Sequence, residues 1–478
     1  MSDNEATTEQ DQPAFPKAAR LINPTIRGYM EALSLQRFFG GYVINPVPES
    51  VYNLGIGEVG NMPLDKEPFE IYRDFVQHGE LAGLALRYSG TMGERETNAL
   101  QAAWLNLLLD TQGLAGDLVV SMDGGQNAIS TAVRAFTSPL GTGEDRKHYV
   151  LLAAPSYPYF SAVVAAQAGL QAFLAYDGEQ FARGVETWCN AAVGLILVNV
   201  PHNPMGFGLT GDQVARINRV AQHYDCVILV DLVYACYPDD PGVGEALGGF
   251  DPERTVFVDS FSKRYGYPGL RLGFAASAAE PLTHALRFVK MSESLTPSNV
   301  KLAFAGHLMA NYPDYPGKLA REVRRRNRAF VAAFAPPRAA GVKPFTGRPN
   351  PFYLALDVSR LAAKTGMSDA EITRYCQEVH NVRVFPGSFV YPNASLDHAT
   401  FSQGGRLSPS GDPPYLAPSF PQGAQIVYAP DFFDARIPLL RLSFGVETRM
   451  EESAAALAKA LGTLAQGDSG AQGARGEP

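Results

Sequence analysis

The strongest constraint on this chain is a repeated alternation. Short runs that are apolar at every position recur between longer stretches with helical spacing. The runs are Leu118-Val119-Val120, Tyr149-Val150-Leu151-Leu152, Gly194 to Val198, Val227 to Val230 and Val256-Phe257-Val258. A strand apolar at successive positions must be covered on both faces, which is the signature of a parallel sheet flanked by helices. Apolar spacing predicts those helices at 96–109, 126–136, 159–168, 211–224 and 318–334. The expected class is therefore α/β, with a mostly parallel, doubly covered sheet. Such sheets bind ligands beyond the carboxyl ends of their strands, so the residues following each run are where chemistry is expected.

Composition narrows the options. The chain has 478 residues, 46% of them apolar and 18% charged, which suits a globular protein of more than one domain. A net charge of −8 argues against nucleic acid as a partner. No apolar run is long enough to span a membrane, and the acidic opening MSDNEATTEQDQPAF has no signal-peptide character. Cys189, Cys226, Cys236 and Cys376 lack metal-ligand spacing and read as buried thiols in a reducing cytoplasm.

The strand ends carry a consistent set of polar groups. After 118–121 comes Met122-Asp123-Gly124-Gly125-Gln126-Asn127, then a helix; glycines there let backbone N–H groups face an anion. Alone, it is equally a tight turn. After 149–153, Pro155-Ser156-Tyr157-Pro158-Tyr159 holds Tyr157 stiffly, to stack on a flat ring or to pack beneath a turn. Gly194–Val198 leads into Asn199-Val200-Pro201-His202-Asn203-Pro204-Met205-Gly206, where Asn203 can donate to a ligand and His202 reads as structural. Val227–Val230 ends in Asp231-Leu232-Val233-Tyr234, a desolvated carboxylate in need of a partner. Last, Asp259-Ser260-Phe261-Ser262-Lys263 precedes a Gly/Pro turn and an expected strand, Leu270-Arg271-Leu272-Gly273-Phe274. A lysine here is either a surface charge or an activated amine, and the neighbouring hydroxyls and guanidinium, which suit a phosphate, favour testing the second reading.

Together these segments resemble the class I/II aminotransferase family, the fold type I enzymes that use pyridoxal 5′-phosphate (PLP). SFSKRYGYPGLRLG is similar to its S-x-S-K…G-x-R-x-G signature, and PHNPMG to its N-P-x-N-P-T-G segment, with Met205 replacing threonine. DLVY, PSYPYF, the Asn53-Leu54-Gly55-Ile56-Gly57 strand, Tyr88 and Leu440-Arg441-Leu442-Ser443-Phe444 extend the match over roughly residues 50–460. The resemblance implies that Lys263 forms the internal aldimine and moves the substrate α-proton. Asp231 would pair with the pyridinium nitrogen, Asn203 and Tyr234 with the phenolic oxygen, and Tyr157 would stack on the ring. Gly124, Gly125, Gln126, Ser260, Ser262 and Arg271 would hold the phosphate, with Tyr88 contributed across a symmetric homodimer with shared active sites. Arg441 would grip the substrate carboxylate and Gly57 would line the substrate pocket.

The implied fold is a large domain with a mostly parallel, seven-stranded-type sheet over 66–330 and a smaller α+β domain over 331–464. Residues 17–65 would join the small domain, and 1–16 and 465–478 read as disordered ends. Two departures stand out. The 53 residues between Gly387 and Arg441 include a Gly/Pro/Ser-rich insertion near 388–430, either a substrate lid or a surface excursion. Asn350-Pro351-Phe352-Tyr353 replaces a glycine-rich segment, pointing to an unusual or larger substrate. Transamination of an α-amino acid with a keto acid is the simplest implied activity. The alternative is elimination, γ-replacement or cyclisation on a substrate such as S-adenosylmethionine, since YGYPGLRLG also resembles 1-aminocyclopropane-1-carboxylate synthases. A non-catalytic regulatory domain is disfavoured by the presence of both Lys263 and Asp231.

Overall fold

The computed structural model describes residues 47–467 except 61, 64–65, 79–80, 139–146, 166, 236–240, 349 and 393–425. The expectations for both chain ends, for Cys236 and for most of the 388–430 insertion lie largely outside the described residues. In chain order the strands are β1 (Tyr52–Asn53), β2 (Val119–Met122), β3 (Tyr149–Ala154), β4 (Gly169–Leu174), β5 (Val193–Asn199), β6 (Val227–Asp231), β7 (Thr255–Ser260) and β8 (Gly273–Ala276). There follow β9 (Lys343–Pro344), β10 (Tyr353–Asp357), β11 (Val382–Arg383), β12 (Phe385–Pro386), β13 (Ile426–Tyr428) and β14 (Leu439–Ser443).

The principal sheet has the order β13-β4-β3-β5-β6-β7-β8-β2. Pairing is parallel from β13 through β7, and β8 runs antiparallel to both neighbours. The expected seven strands are present, and an eighth, β13, comes from the end of the insertion. Alternate residues of the central strands enter two separate cores. Ile196, Val198, Ile228 and Val230 pack on one face, and Leu195, Leu197 and Leu229 on the other. This double covering is what the uninterrupted apolar runs required.

A second sheet, β12-β14-β10-β9, is antiparallel. Helix Met450–Gln466 is part of the same packed unit and also contacts helix Tyr315–Ala333. β11 and β12 are close neighbours in sequence but part company: β11 pairs with β1, whereas β12 joins the second sheet. The expected strand Leu270–Phe274 begins only at Gly273. Residues Pro268–Leu270 form a 3-10 turn and Arg271 takes φ 51°, so the backbone turns before it can pair.

Candidate active site

The carboxyl ends of β5, β6 and β7 align in register, with Asn199 beside Asp231 and Asp231 beside Val258. They open onto a cavity of 390 Å³. Its lining includes the predicted Gly57, Gly125, Gln126, Tyr157, Asp231, Tyr234, Ser260, Ser262, Lys263, Arg271 and Arg441. Residues far apart in sequence thus meet at one place.

The anion cradle is built locally. Gly124, at φ 92°, caps helix Gly125–Phe136 without a side-chain hydrogen bond. A Cβ on Gly124 would lie 2.8 Å from Arg271 Nη2, so only glycine lets the guanidinium approach the helix N-terminus. Gly124 therefore sits immediately behind the lining rather than in it. Ser260 Oγ donates to Ser262 Oγ at 3.0 Å and accepts from Ser262 N–H at 3.2 Å. Hydroxyls, a helix N-terminus and a guanidinium thus meet here, donors of the kind that suit an anion.

Lys263 lies in the four-residue helix Phe261–Arg264, and its Nζ donates to the Gly57 carbonyl. A buried pair anchors that turn from behind. Arg264 Nη1 lies 3.0 Å from Asp259 Oδ2, which also accepts from Trp104 Nε1 at 3.0 Å. The Arg264 guanidinium stacks over Phe261 at 4.5 Å and Trp104 at 4.9 Å.

Asp231 is only 2% exposed. It accepts from Asn199 Nδ2 at 3.0 Å and from Val233 N–H at 3.2 Å. Burial pushes its carboxyl up to about 7 despite these donors. Asn199 Oδ1 in turn accepts from Asn203 N–H at 2.8 Å. Sequence reasoning quoted Asn199 without assigning it; an asparagine closing an apolar strand one register position from Asp231 was the available signal. Asn203 is fully buried, and neither of its side-chain polar atoms has a partner among the described residues. It does not line the cavity directly. His202 stacks on Phe207 at 4.3 Å, and burial pushes its imidazole down to about 3, in keeping with a structural role.

On the opposite wall, the Arg441 guanidinium lies between two rings, 4.1 Å from Phe385 and 4.8 Å from Tyr353. Its Nη2 donates to Gly55 O at 2.9 Å, while its buried Nε has no partner among the described residues. Tyr353, Phe385, Phe389, Tyr159 and Glu58 also line the cavity and were not anticipated. Tyr88 is absent from the lining and is 82% exposed. Among the described residues there is no group of acidic, His or Cys side chains able to hold a metal, and no helix is long and apolar enough to cross a membrane. Cys189, Cys226 and Cys376 are buried free thiols.

The orphaned polar atoms of Asn203 and Arg441, the buried Asp231 and the anion cradle fit a phosphorylated heteroaromatic cofactor carrying a ring nitrogen and a phenolic oxygen, with a carboxylate bound alongside. Comparison with known proteins agrees in family. A histidinol-phosphate aminotransferase of Halobacterium salinarum is 29% identical over 206 residues, covering 41% of this chain and 54% of that protein. An aspartate aminotransferase of Bacillus subtilis is 28% identical over 214 residues, covering 43% and 53%. The aligned part thus spans about half the length of these relatives. The crystal structure of an aspartate aminotransferase from Thermotoga maritima superposes with a TM-score of 0.66 at 17% identity, covering 92% of this chain and 99% of that one, and supports the fold. The family described as aminotransferase class I and II matches residues 51–414, and the chain belongs to that family.

Proposed function

We propose that the chain is a PLP-dependent aminotransferase that moves an amino group between an α-amino acid and a keto acid. The observation that supports this best is the convergence of Lys263, Asp231, the Gly125/Ser260/Ser262/Arg271 cradle and Arg441 around one cavity, with Asn203, whose side-chain amide is unpartnered among the described residues, bonded through its backbone N–H to the lining residue Asn199. Bound PLP supplies the electron sink that lets an amino acid ionise at its α-carbon. The chain's residues supply the rest. Asp231 would hold a proton at the ring nitrogen, and Tyr157 would stack on the ring. Asn203 and Tyr234 donate to the phenolic oxygen. Arg441 orients the substrate carboxylate with a planar fork, and Lys263 Nζ holds and returns the α-proton.

A second copy of the chain belongs to the proposal. Tyr88 is exposed, as are Leu86 (85%), Phe69 (72%) and Phe288 (77%), large side chains of the kind a partner covers, and Tyr88 would reach the partner's phosphate. The division into a cofactor-holding domain over 66–330 and a smaller domain over 331–464 is likewise proposed, supported by the two sheets.

The test is spectroscopic. Purified protein loaded with PLP should show a visible band that Lys263→Ala loses. A panel of amino acids, added without keto acid, should convert the band to that of the amine form. If no amino acid does so, transamination is overturned. Methylthioadenosine release from S-adenosylmethionine would replace it with the elimination or cyclisation reading.

A further inference from the structure

Tyr353 has no role in the family resemblance above, yet its side chain touches three functional groups. It is carried by β10 of the second sheet and is 4% exposed. Its Oη lies 2.7 Å from Tyr234 Oη, and the two rings meet edge to face at 5.2 Å. The same hydroxyl occupies the space above Gly57, where a Cβ would fall 2.5 Å from it. The ring face backs the Arg441 guanidinium at 4.8 Å. Arg441 and Tyr157 are the other ionisable groups facing Tyr234.

Hydrogen-bond accounting gives the pair a direction. A phenol has one proton to donate. If Tyr234 gave that proton to Tyr353, it could only accept from a ligand, and a cofactor's phenolic oxygen has no proton to offer once ionised. We propose that Tyr353 is a positioning residue that donates its phenolic proton to Tyr234, so that Tyr234 is held as a donor aimed at the cofactor's phenolic oxygen. This rests on the PLP reading above. It makes the donor strength of Tyr234, in the turn after β6 of the first sheet, depend on a residue carried by the second. Because chained hydrogen bonds polarise one another, Tyr234 becomes a stronger donor than a lone tyrosine. The same residue stiffens the carboxylate grip through its ring, so one side chain serves both ends of the bound substrate–cofactor pair.

The measurement is the pH at which the visible band of the PLP-loaded enzyme changes form. A weaker Tyr234 donor leaves the phenolic oxygen more basic, and that oxygen then holds the proton on the Lys263 nitrogen to higher pH. Tyr353→Phe should therefore move the transition up by roughly 0.3–0.7 pH units, the scale of one neutral hydrogen bond felt at one remove. Because the ring is kept, KM for the amino acid should stay within about twofold. Tyr353→Leu removes the ring as well, and KM should rise about tenfold. Substituting 3-fluorotyrosine at 353, a more acidic phenol, should move the transition the other way and decides the matter if the Phe variant is poorly folded. A transition unmoved in Tyr353→Phe and in the fluorotyrosine protein overturns the proposal and leaves the PLP assignment standing. A wild-type protein that develops no visible band with PLP overturns both.

Discussion

Asp231 accepts two hydrogen bonds, yet burial still pushes its carboxyl up to about 7. Without a cationic partner, the folded protein therefore binds a proton at this position that the unfolded chain releases near 4. The sign follows. Between about pH 4 and 7 the native state holds more protons than the unfolded one, so raising the pH through this window lowers stability. The loss is on the order of a few kcal/mol by the end of the window and constant above it. Asp231→Asn should abolish this slope in cofactor-free protein, measured by urea unfolding at pH 5 and pH 8. PLP should restore wild-type stability at pH 8 by placing a protonated ring nitrogen against the carboxylate. A wild-type protein equally stable at both pH values would contradict the account. Most of the predicted site residues were legible because each follows an apolar run in a short polar motif. Tyr353, Phe385 and Phe389 were not. Tyr353 and Phe385 come from the antiparallel sheet and Phe389 from the 3-10 turn that follows β12, and only the tertiary fold brings them to Lys263.

The turn between β7 and β8 shows what an element must do to present a lysine. Its rear wall is the buried Asp259–Arg264 pair with the half-buried Trp104 indole. Burial pushes the Asp259 carboxyl up, although Arg264, the Ser260 N–H and Trp104 oppose it. Arg264→Met would leave that carboxylate without its cation and should cost about 3–5 kcal/mol in denaturant unfolding. Asp259→Asn added to it should recover part of the loss, because the desolvated charge is then gone; an additive double variant would mean the two side chains act independently. The boundary misjudged in the sequence lies in this same turn. Leu270-Arg271-Leu272 alternates like a strand, but Arg271 takes a left-handed conformation that aims its side chain at the helix N-terminus. Local pattern cannot reveal a residue whose backbone is set by where its side chain must reach in the tertiary fold. Strand β4, Gly-Leu-Gln-Ala-Phe-Leu, was also missed, because it lacks the β-branched residues that mark its neighbours. Helices Gly178–Trp188, Glu280–Ser294 and Asn299–Asn311 went unpredicted alongside it.

At the scale of the molecule, the alternation of runs and helices was enough to give the sheet class and the end at which the site lies. The route of the chain after Tyr391 was not. From the second sheet it crosses to the first, where β13 pairs with β4, and then returns as β14. Tyr176 holds this crossing: its Oη lies 3.0 Å from Tyr391 Oη and accepts from Ile437 N–H at 2.9 Å. No residue pattern in a Gly/Pro/Ser-rich passage specifies such a landing, because the pairing is made by backbone groups.

That crossing has a consequence for how the protein behaves in a crowded solution. Without β13, the unpaired side of β4 would offer neighbouring chains the uncharged, proline-free backbone of Gly169–Leu174, the kind of open border on which chains stack. The three residues Ile426–Tyr428 close it and leave a border too short to recruit another chain. Excising residues 393–428 should therefore raise light scattering at micromolar concentration and shorten shelf life. Monodisperse protein after the excision would refute this. The short strand Ile426–Tyr428 would then be what keeps copies of the enzyme from stacking on one another along β4.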